Sequence, residues 1–363
     1  PQFIDNPQRF GARPYARFDL GQSTVRADVL GLTAGLTTAN EWIGPTLQDP
    51  LIMGDNAAGM PRMFAGTSKP LNVGIGTLHA RLEAGRLSQS AYSPMPADSA
   101  YRLGMMFTAV GTIRGVPGLE LGVTRFVHEF WPGLDNVAAR LGAPFGKVYA
   151  PTTADQGAIQ ENELASVFAR WVLTPARVEV WGEYMRNDFA ANARDLLVEP
   201  DHDAGWVLGA RRVWIRRDGG LTAVRIETLN TRVTHLERVR LQARPYEHTP
   251  IRQGHTELGE VLGSFSGEGG LATTVGLDRY RADGRWTFEY DYRVRQTSLG
   301  EAAPSNQWDV YHVLRAERLR FGRARDLFTG AAVIADLNRN FVRDAYGLRL
   351  DAGWRFGSRS RNP

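Results

Sequence analysis

Cysteine is missing from all 363 residues, so neither disulfide staples nor thiolate metal ligands hold this chain. That absence suits an envelope protein without disulfides and many cytosolic proteins alike. Lysine is almost missing too: Lys69 and Lys147 are the two among 43 basic residues, and the others are arginine. Against 39 acids the net charge is only +4, and no basic block stands out, which argues against a nucleic-acid partner. No apolar run approaches the roughly 18–20 residues of a membrane-spanning helix. Helical periodicity is absent except for a short piece around Asn136–Leu141. There is no Gly-x-Ser-x-Gly elbow, phosphate loop or His-Glu-x-x-His pair, so the chain is expected not to be an enzyme. A glycosidase needs only two carboxylates at a set distance, and spacing alone leaves that open.

What is present is alternation. In Leu348–Phe356 the residues Leu348, Leu350, Ala352, Trp354 and Phe356 share one strand face, and Arg349, Asp351, Gly353 and Arg355 share the other. Trp286, Phe288, Tyr290 and Tyr292 alternate in the same way with Thr287, Glu289, Asp291 and Arg293. Segments of this kind recur from Thr24–Thr37, Met60–Ser68 and Leu71–Leu87 through Tyr101–Arg114 and Leu119–Phe130 to the C-terminus, with a further candidate at Tyr15–Leu20. Many reach the roughly 9–11 residues that a transmembrane strand needs. Such strands show lipid at every second residue only, so the average stays polar.

The connections sort by length. Val116–Gly118, Thr174–Ala176, Arg217–Gly220, Arg281–Gly284 and Gly322–Arg325 have tight-turn chemistry. Between them fall long loops at Asn40–Gly59, Trp131–Asn162, Asp188–Ala204, Glu237–Gly270 and Thr297–Gln307. The expected fold is therefore all-β: an antiparallel transmembrane β-barrel with short periplasmic turns and long extracellular loops. A sandwich, jelly roll or propeller matches only part of this pattern, and no fixed-period repeat favours a propeller. No linker or composition shift divides the chain, so one domain is expected over residues 1–363. The start at Pro1 reads as a processed or partial chain, with N-terminal strands of the barrel expected before it.

Two loops carry more than barrel grammar. Glu41-Trp42-Ile43-Gly44-Pro45, then Leu51-Ile52-Met53-Gly54-Asp55-Asn56-Ala57 and Pro61, resembles a signature of the Wzi-like capsule-assembly proteins. Tyr246-x-His248, Gly254-His255, Gly259 and Leu262-Gly263 are similar to that family's second loop, and Leu337–Phe341 with the last strand extends the likeness over most of the chain from about Phe18. The family usually has two adjacent tryptophans where this chain has Trp42-Ile43. It also has N-terminal strands and a small helical segment, so the chain resembles the C-terminal portion of such a barrel. The resemblance implies an outer-membrane barrel that binds or retains capsular or other surface polysaccharide as a lectin.

Trp42, Trp131, Tyr246 and Trp308 fall in or beside the proposed outer loops, where an aromatic face stacks on a sugar; interfacial girdles also use Trp and Tyr there. Asn56, His248 and His255 complete the candidate polysaccharide-binding set, with Gly44-Pro45 and Asn56 also fixing backbone geometry. No metal or cofactor is expected: His248, His255 and Glu257 lack ligand spacing, and Asp336–Asn340 lacks the glycine and distal glutamate of a calcium loop. Arg177, Glu179, Glu183, Arg285, Glu289, Asp291 and Arg293 are expected to face inward and fill the lumen with ion pairs. Outer-membrane lipid and lipopolysaccharide, whose phosphates suit arginine, are expected contacts, as are envelope protein partners. Two other functions remain in play: a porin-like diffusion channel, and a structural subunit of a larger envelope assembly.

Overall fold

The computed structural model describes residues 4–7, 19–93, 95–146, 161–188, 192–232, 244–296, 308–322, 325–340 and 342–356. The strands are β1 (Thr24–Val29), β2 (Leu32–Thr37), β3 (Arg62–Thr67), β4 (Leu71–Asn72), β5 (Gly76–Ser88), β6 (Tyr101–Ile113), β7 (Leu119–Phe130), β8 (Glu161–Leu173) and β9 (Val178–Asn187). They continue as β10 (Ala204–Ile215), β11 (Leu221–Asn230), β12 (Thr256–Glu257), β13 (Glu260–Val261), β14 (Leu271–Arg281), β15 (Gly284–Gln296), β16 (Trp308–Arg320), β17 (Arg325–Arg339) and β18 (Arg343–Phe356). Two short helices, α1 (Leu134–Arg140) and α2 (Ala193–Val198), lie in long loops, and no helix among the described residues is long and apolar enough to cross a membrane.

Sixteen strands form one sheet in sequence order, each antiparallel to its neighbour, while β12 and β13 make a separate small hairpin. The strands reach up to 15 residues, long enough to cross a bilayer core. The long loops all leave one end of the sheet and short turns close the other, with one short connection, residues 340–342 between β17 and β18, at the long-loop end. Two expected strands prove to be hairpins. Thr24–Thr37 breaks at Leu30-Gly31, both in positive φ (51° and 87°), the geometry of a type I′ turn, which leucine concealed. Leu71–Leu87 breaks at Gly74, whose backbone N–H is held at 2.9 Å by the Asn72 side chain. Residues 15–18 of the Tyr15–Leu20 candidate lie outside the described residues. The expected helix at Asn136–Leu141 is α1.

The sheet is inside out relative to a water-soluble protein. Val123, Leu208, Phe288, Leu314, Leu348 and Leu350 are exposed on its outer face, whereas Glu83, Glu179, Glu227, Asp278, Glu289 and Arg293 are buried on the inner one. The apolar core sits inside the long-loop end. There the inner faces of β5 to β11 and β14, through residues such as Leu87, Met106, Phe126, Leu164, Met185 and Leu229, enclose Leu51, Ile52, Met53, Tyr246, Val261 and Leu262 from two loops. Those loops, 38–61 between β2 and β3 and 244–270 between β11 and β14, form a plug in the lumen.

Candidate functional site

The plug is anchored by charges on the strands. Glu227 of β11 accepts three consecutive backbone N–H groups, from Leu47 at 2.7 Å, Gln48 at 2.8 Å and Asp49 at 3.0 Å, and the Trp181 indole N–H at 2.7 Å. Asp49 in turn accepts from Arg293 of β15 at 2.5 Å and from Ser264 of the second loop at 2.7 Å. Bonds of this kind to a buried carboxylate are the strong ones, so the tip of the first loop is held from several sides.

The second loop locks onto the first. The Tyr246 hydroxyl donates to Leu51 O at 2.8 Å, Asn56 Nδ2 to Val261 O at 2.7 Å, and His255 Nε2 to Ile52 O at 2.6 Å. His255 therefore carries its proton on Nε2; its ring stacks near Tyr246, with centroids 5.7 Å apart. Arg102 of β6, fully buried, donates to Gly254 O and, at 2.6 Å, to Thr256 O. Burial pushes the His255 imidazole down to about 4, against the pull of the Ile52 carbonyl bond and helped by the Arg102 charge. Burial likewise pushes His248 down to about 4, with Asp188 opposing, and its Nδ1 accepts the Ile251 N–H at 3.1 Å. Glu247 goes the other way, up to about 8, through burial and then the neighbouring Glu268.

Beneath the plug, in the half of the lumen nearer the short turns, lies a cavity of about 530 Å³. Its roof is Glu41–Pro45 of the first loop; its walls are His79, Arg81 and Glu83 of β5, Met106, Thr108 and Val110 of β6, Glu120 of β7, and Phe168 and Arg170 of β8. That volume lies within the roughly 300–1,000 Å³ range of small-ligand sites. Trp42 is 39% exposed, and its indole N–H donates to Thr46 O at 2.8 Å, which fixes the ring as part of the roof. Gly44 adopts φ 103°, and a side chain there would meet Glu183 Oε2 at 2.5 Å, so the roof needs glycine for both backbone and space. The charges are paired: Arg81 bridges Glu41 and Glu83 at 2.5 Å each, and Arg170 bridges Glu120 at 3.0 Å and Glu179 at 2.6 Å.

The structure brings together four of the seven sequence candidates, but as parts of the plug: Asn56, Tyr246, His248 and His255 are tied up within it, and the two histidines and the tyrosine are buried. Trp42 alone lines the cavity. Trp131 packs with α1 against Ala84, Leu103, Met105 and Val127, residues of the outer face. Trp308 opens β16 on the outer face, with the Arg232 guanidinium 4.6 Å above its ring. Glu179, Glu183, Glu289 and Arg293 are buried in the lumen as expected, whereas Arg177 occupies a short turn at φ 54°. Sequence reasoning missed the anchors Asp49, Glu227 and Arg102 and the cavity walls Arg81, Glu120 and Arg170. One signal was available: Leu51-Ile52-Met53 is too apolar for a loop in water.

The family described as capsule assembly protein Wzi matches residues 10–321. Among solved structures, the fold is similar to that of Wzi from Escherichia coli, a carbohydrate-binding outer-membrane β-barrel involved in group 1 capsule assembly. The identity is 16%, covering 91% of this chain and 67% of that one, with a TM-score of 0.61. The outer-membrane channel DcaP of Acinetobacter baumannii is also similar, at 8% identity over 83% of this chain and 85% of that one, with a TM-score of 0.35. No curated protein matches. The likeness to the first establishes the fold as an outer-membrane β-barrel.

Proposed function

The chain belongs to the Wzi family of capsule-assembly proteins, and from that premise we propose that it binds capsular or other surface polysaccharide at the outer membrane without catalysis. The observation that carries this reading is the cavity under Trp42. An exposed indole beside carboxylates and guanidinium groups is what a sugar ring needs: an apolar face to stack on, and acceptors and donors around its hydroxyls. Pairing of Glu41, Glu83 and Glu120 with arginine supports binding over acid–base work, because each carboxylate is already committed as an acceptor. The plug supports retention over free diffusion, since a porin needs a continuous aqueous path. At the long-loop rim, Arg86 over Tyr101 and Arg232 over Trp308 (each 4.6 Å) offer guanidinium groups at headgroup height, suited to lipopolysaccharide phosphates.

The test is binding of the purified protein to the host cell's own surface polysaccharide, together with capsule retention by a deletion strain. Wild type is expected to bind and to restore retention. Trp42→Ala is expected to weaken binding at least about tenfold, worth about 1.4 kcal/mol. Normal retention without the protein, or undiminished binding by Trp42→Ala, rejects the proposal.

A further inference from the structure

We propose that the outer face of the barrel carries a site for one lipopolysaccharide molecule: an apolar groove between α1 and the first strands of the sheet takes an acyl chain, and Arg86 takes a phosphate. This builds on the headgroup contact of Arg86 named above and is separate from the cavity under Trp42.

The loop after β7 lies down on the lipid side of the sheet. Gly133, at φ 85°, turns the chain after Trp131-Pro132, and Leu134, Val137 and Leu141 then recur at the spacing of one helix face. Val137 and Leu141 pack with Trp131 on Ala84, Leu103, Met105 and Val127. Farther along, the Phe145 ring sits 4.7 Å from that of Phe107, and Arg125 donates to Pro144 O at 3.1 Å. Arg125 and Glu163 pair with each other on the outer face, yet their side chains are only 15% and 7% exposed. The loop thus covers charges that are costly against lipid tails, which places it at the boundary of the leaflet.

Beside this loop runs a groove of about 480 Å³. Along its floor Val25, Leu36, Met63 and Ala84 are successive cross-strand partners from β1 to β5, and its wall is Trp131, Leu134 and Val137. A bare sheet face offers a lipid chain one surface; here a second wall stands on it, and its Leu134 is still 80% exposed. Every floor residue lies within five positions of the long-loop end of its strand, the extracellular side of such barrels, where the leaflet is lipopolysaccharide.

Charge selects the headgroup. Among the described residues no carboxylate lines the groove. The Arg62 guanidinium is turned to Glu41 and Glu83 in the lumen. Arg86 is exposed, with no acid partner among the described residues, and stands two residues beyond Ala84, roughly 7 Å nearer the rim. Stacked over Tyr101, its guanidinium keeps its N–H edge for a phosphate above the chain in the groove.

The full chain, purified in mild detergent, is titrated with deep-rough lipopolysaccharide, which lacks the long sugar chain, and bound lipid is counted by native mass spectrometry. Wild type is expected to hold one molecule, at least tenfold more tightly than the dephosphorylated form. Arg86→Gln, and Met63→Trp filling the groove floor, should each weaken retention at least tenfold, whereas Leu348→Trp, elsewhere on the outer face, should not. Full retention by either groove variant overturns the site. Equal retention of phosphatidylglycerol overturns the choice of lipid, and a lipid-free dimer broken by Met63→Trp makes a second copy the occupant instead. Trp42→Ala is expected to retain lipopolysaccharide as wild type does, so failure of the groove leaves the polysaccharide reading standing; loss of retention in Trp42→Ala would put the molecule in the sugar cavity and overturn the groove.

Discussion

The backbone N–H of Asp49 donates to Glu227 Oε1 at 3.0 Å, so one carboxylate of the barrel wall receives the tip of the plug while the plug's own carboxylate reaches Arg293 on another strand. Glutamine at position 227 keeps the shape but offers one acceptor oxygen where three N–H groups and an indole now converge. Each buried donor left unpaired costs about 1–3 kcal/mol. Glu227→Gln is therefore expected to loosen the plug and convert a non-conducting barrel into one with brief ion-conducting openings in planar bilayers. A silent trace would show that the second loop alone holds the plug.

At Gly44 two demands coincide. Any side chain must accept φ 103° and must also displace the Glu183 carboxylate. Positive φ for a non-glycine residue costs about 1–3 kcal/mol, and the clash adds to it. Gly44→Ala should move Trp42 from its bond to Thr46 O, shifting indole fluorescence and weakening saccharide binding, while the barrel itself still folds. Unchanged fluorescence and affinity would mean that the roof adjusts without moving the ring.

The barrel was legible because lipid and lumen impose a period of two, which Leu348–Phe356 and Trp286–Tyr292 carry openly. The hairpin at Leu30-Gly31 was not, because its turn uses leucine where asparagine usually signals positive φ. Nor was the inward fold of the long loops. Tyr246 and His255 looked like surface groups because a polar loop is normally solvated. Their burial depends on contacts with Leu51 and Ile52, about 200 residues earlier in the chain, which local pattern does not encode. Trp42 was legible as a candidate, but its placement on the underside of the plug, roofing a cavity, was not.

Three loop groups give the plug an optimum pH. His248 and His255, held at about 4, are neutral in the plug and ordinary, near 6.5, once it opens. Their contribution is complete above about pH 6.5 and is lost as pH falls toward 4. Protonating His248 Nδ1 also removes the acceptor of the Ile251 N–H. Glu247, held at about 8 by burial and by Glu268, with Asp203 adding to the shift and Arg244 opposing it, acts in the other direction. Its contribution is complete below about 4.5 and is lost as pH rises through 8. Hydrogen exchange in residues 244–266 should be slowest near pH 6.5 after correction for intrinsic rates, and Glu247→Gln should flatten the alkaline limb, part of which Glu268, likewise raised by burial, retains. Corrected protection that is flat across this range would sink the account.

Arg102 offers a way to release one loop and leave the other. Its guanidinium is fully buried and donates to the carbonyls of Gly254 and Thr256, and the next residue, Glu257, accepts the Ser88 N–H at 2.7 Å. Methionine at position 102 fills similar space without donors, so both carbonyls lose their partner inside the barrel. The expected penalty is about 2–4 kcal/mol, with the larger share from stranding buried polar groups. Because Asp49 keeps its bonds to Glu227 and Arg293, the first loop should stay docked. Arg102→Met is thus expected to speed amide exchange in residues 253–257 by about thirtyfold to a thousandfold while residues 47–49 keep wild-type protection. Loss of protection in both segments together would mean that the plug opens as one unit, with the Tyr246–Leu51 and His255–Ile52 bonds coupling its halves.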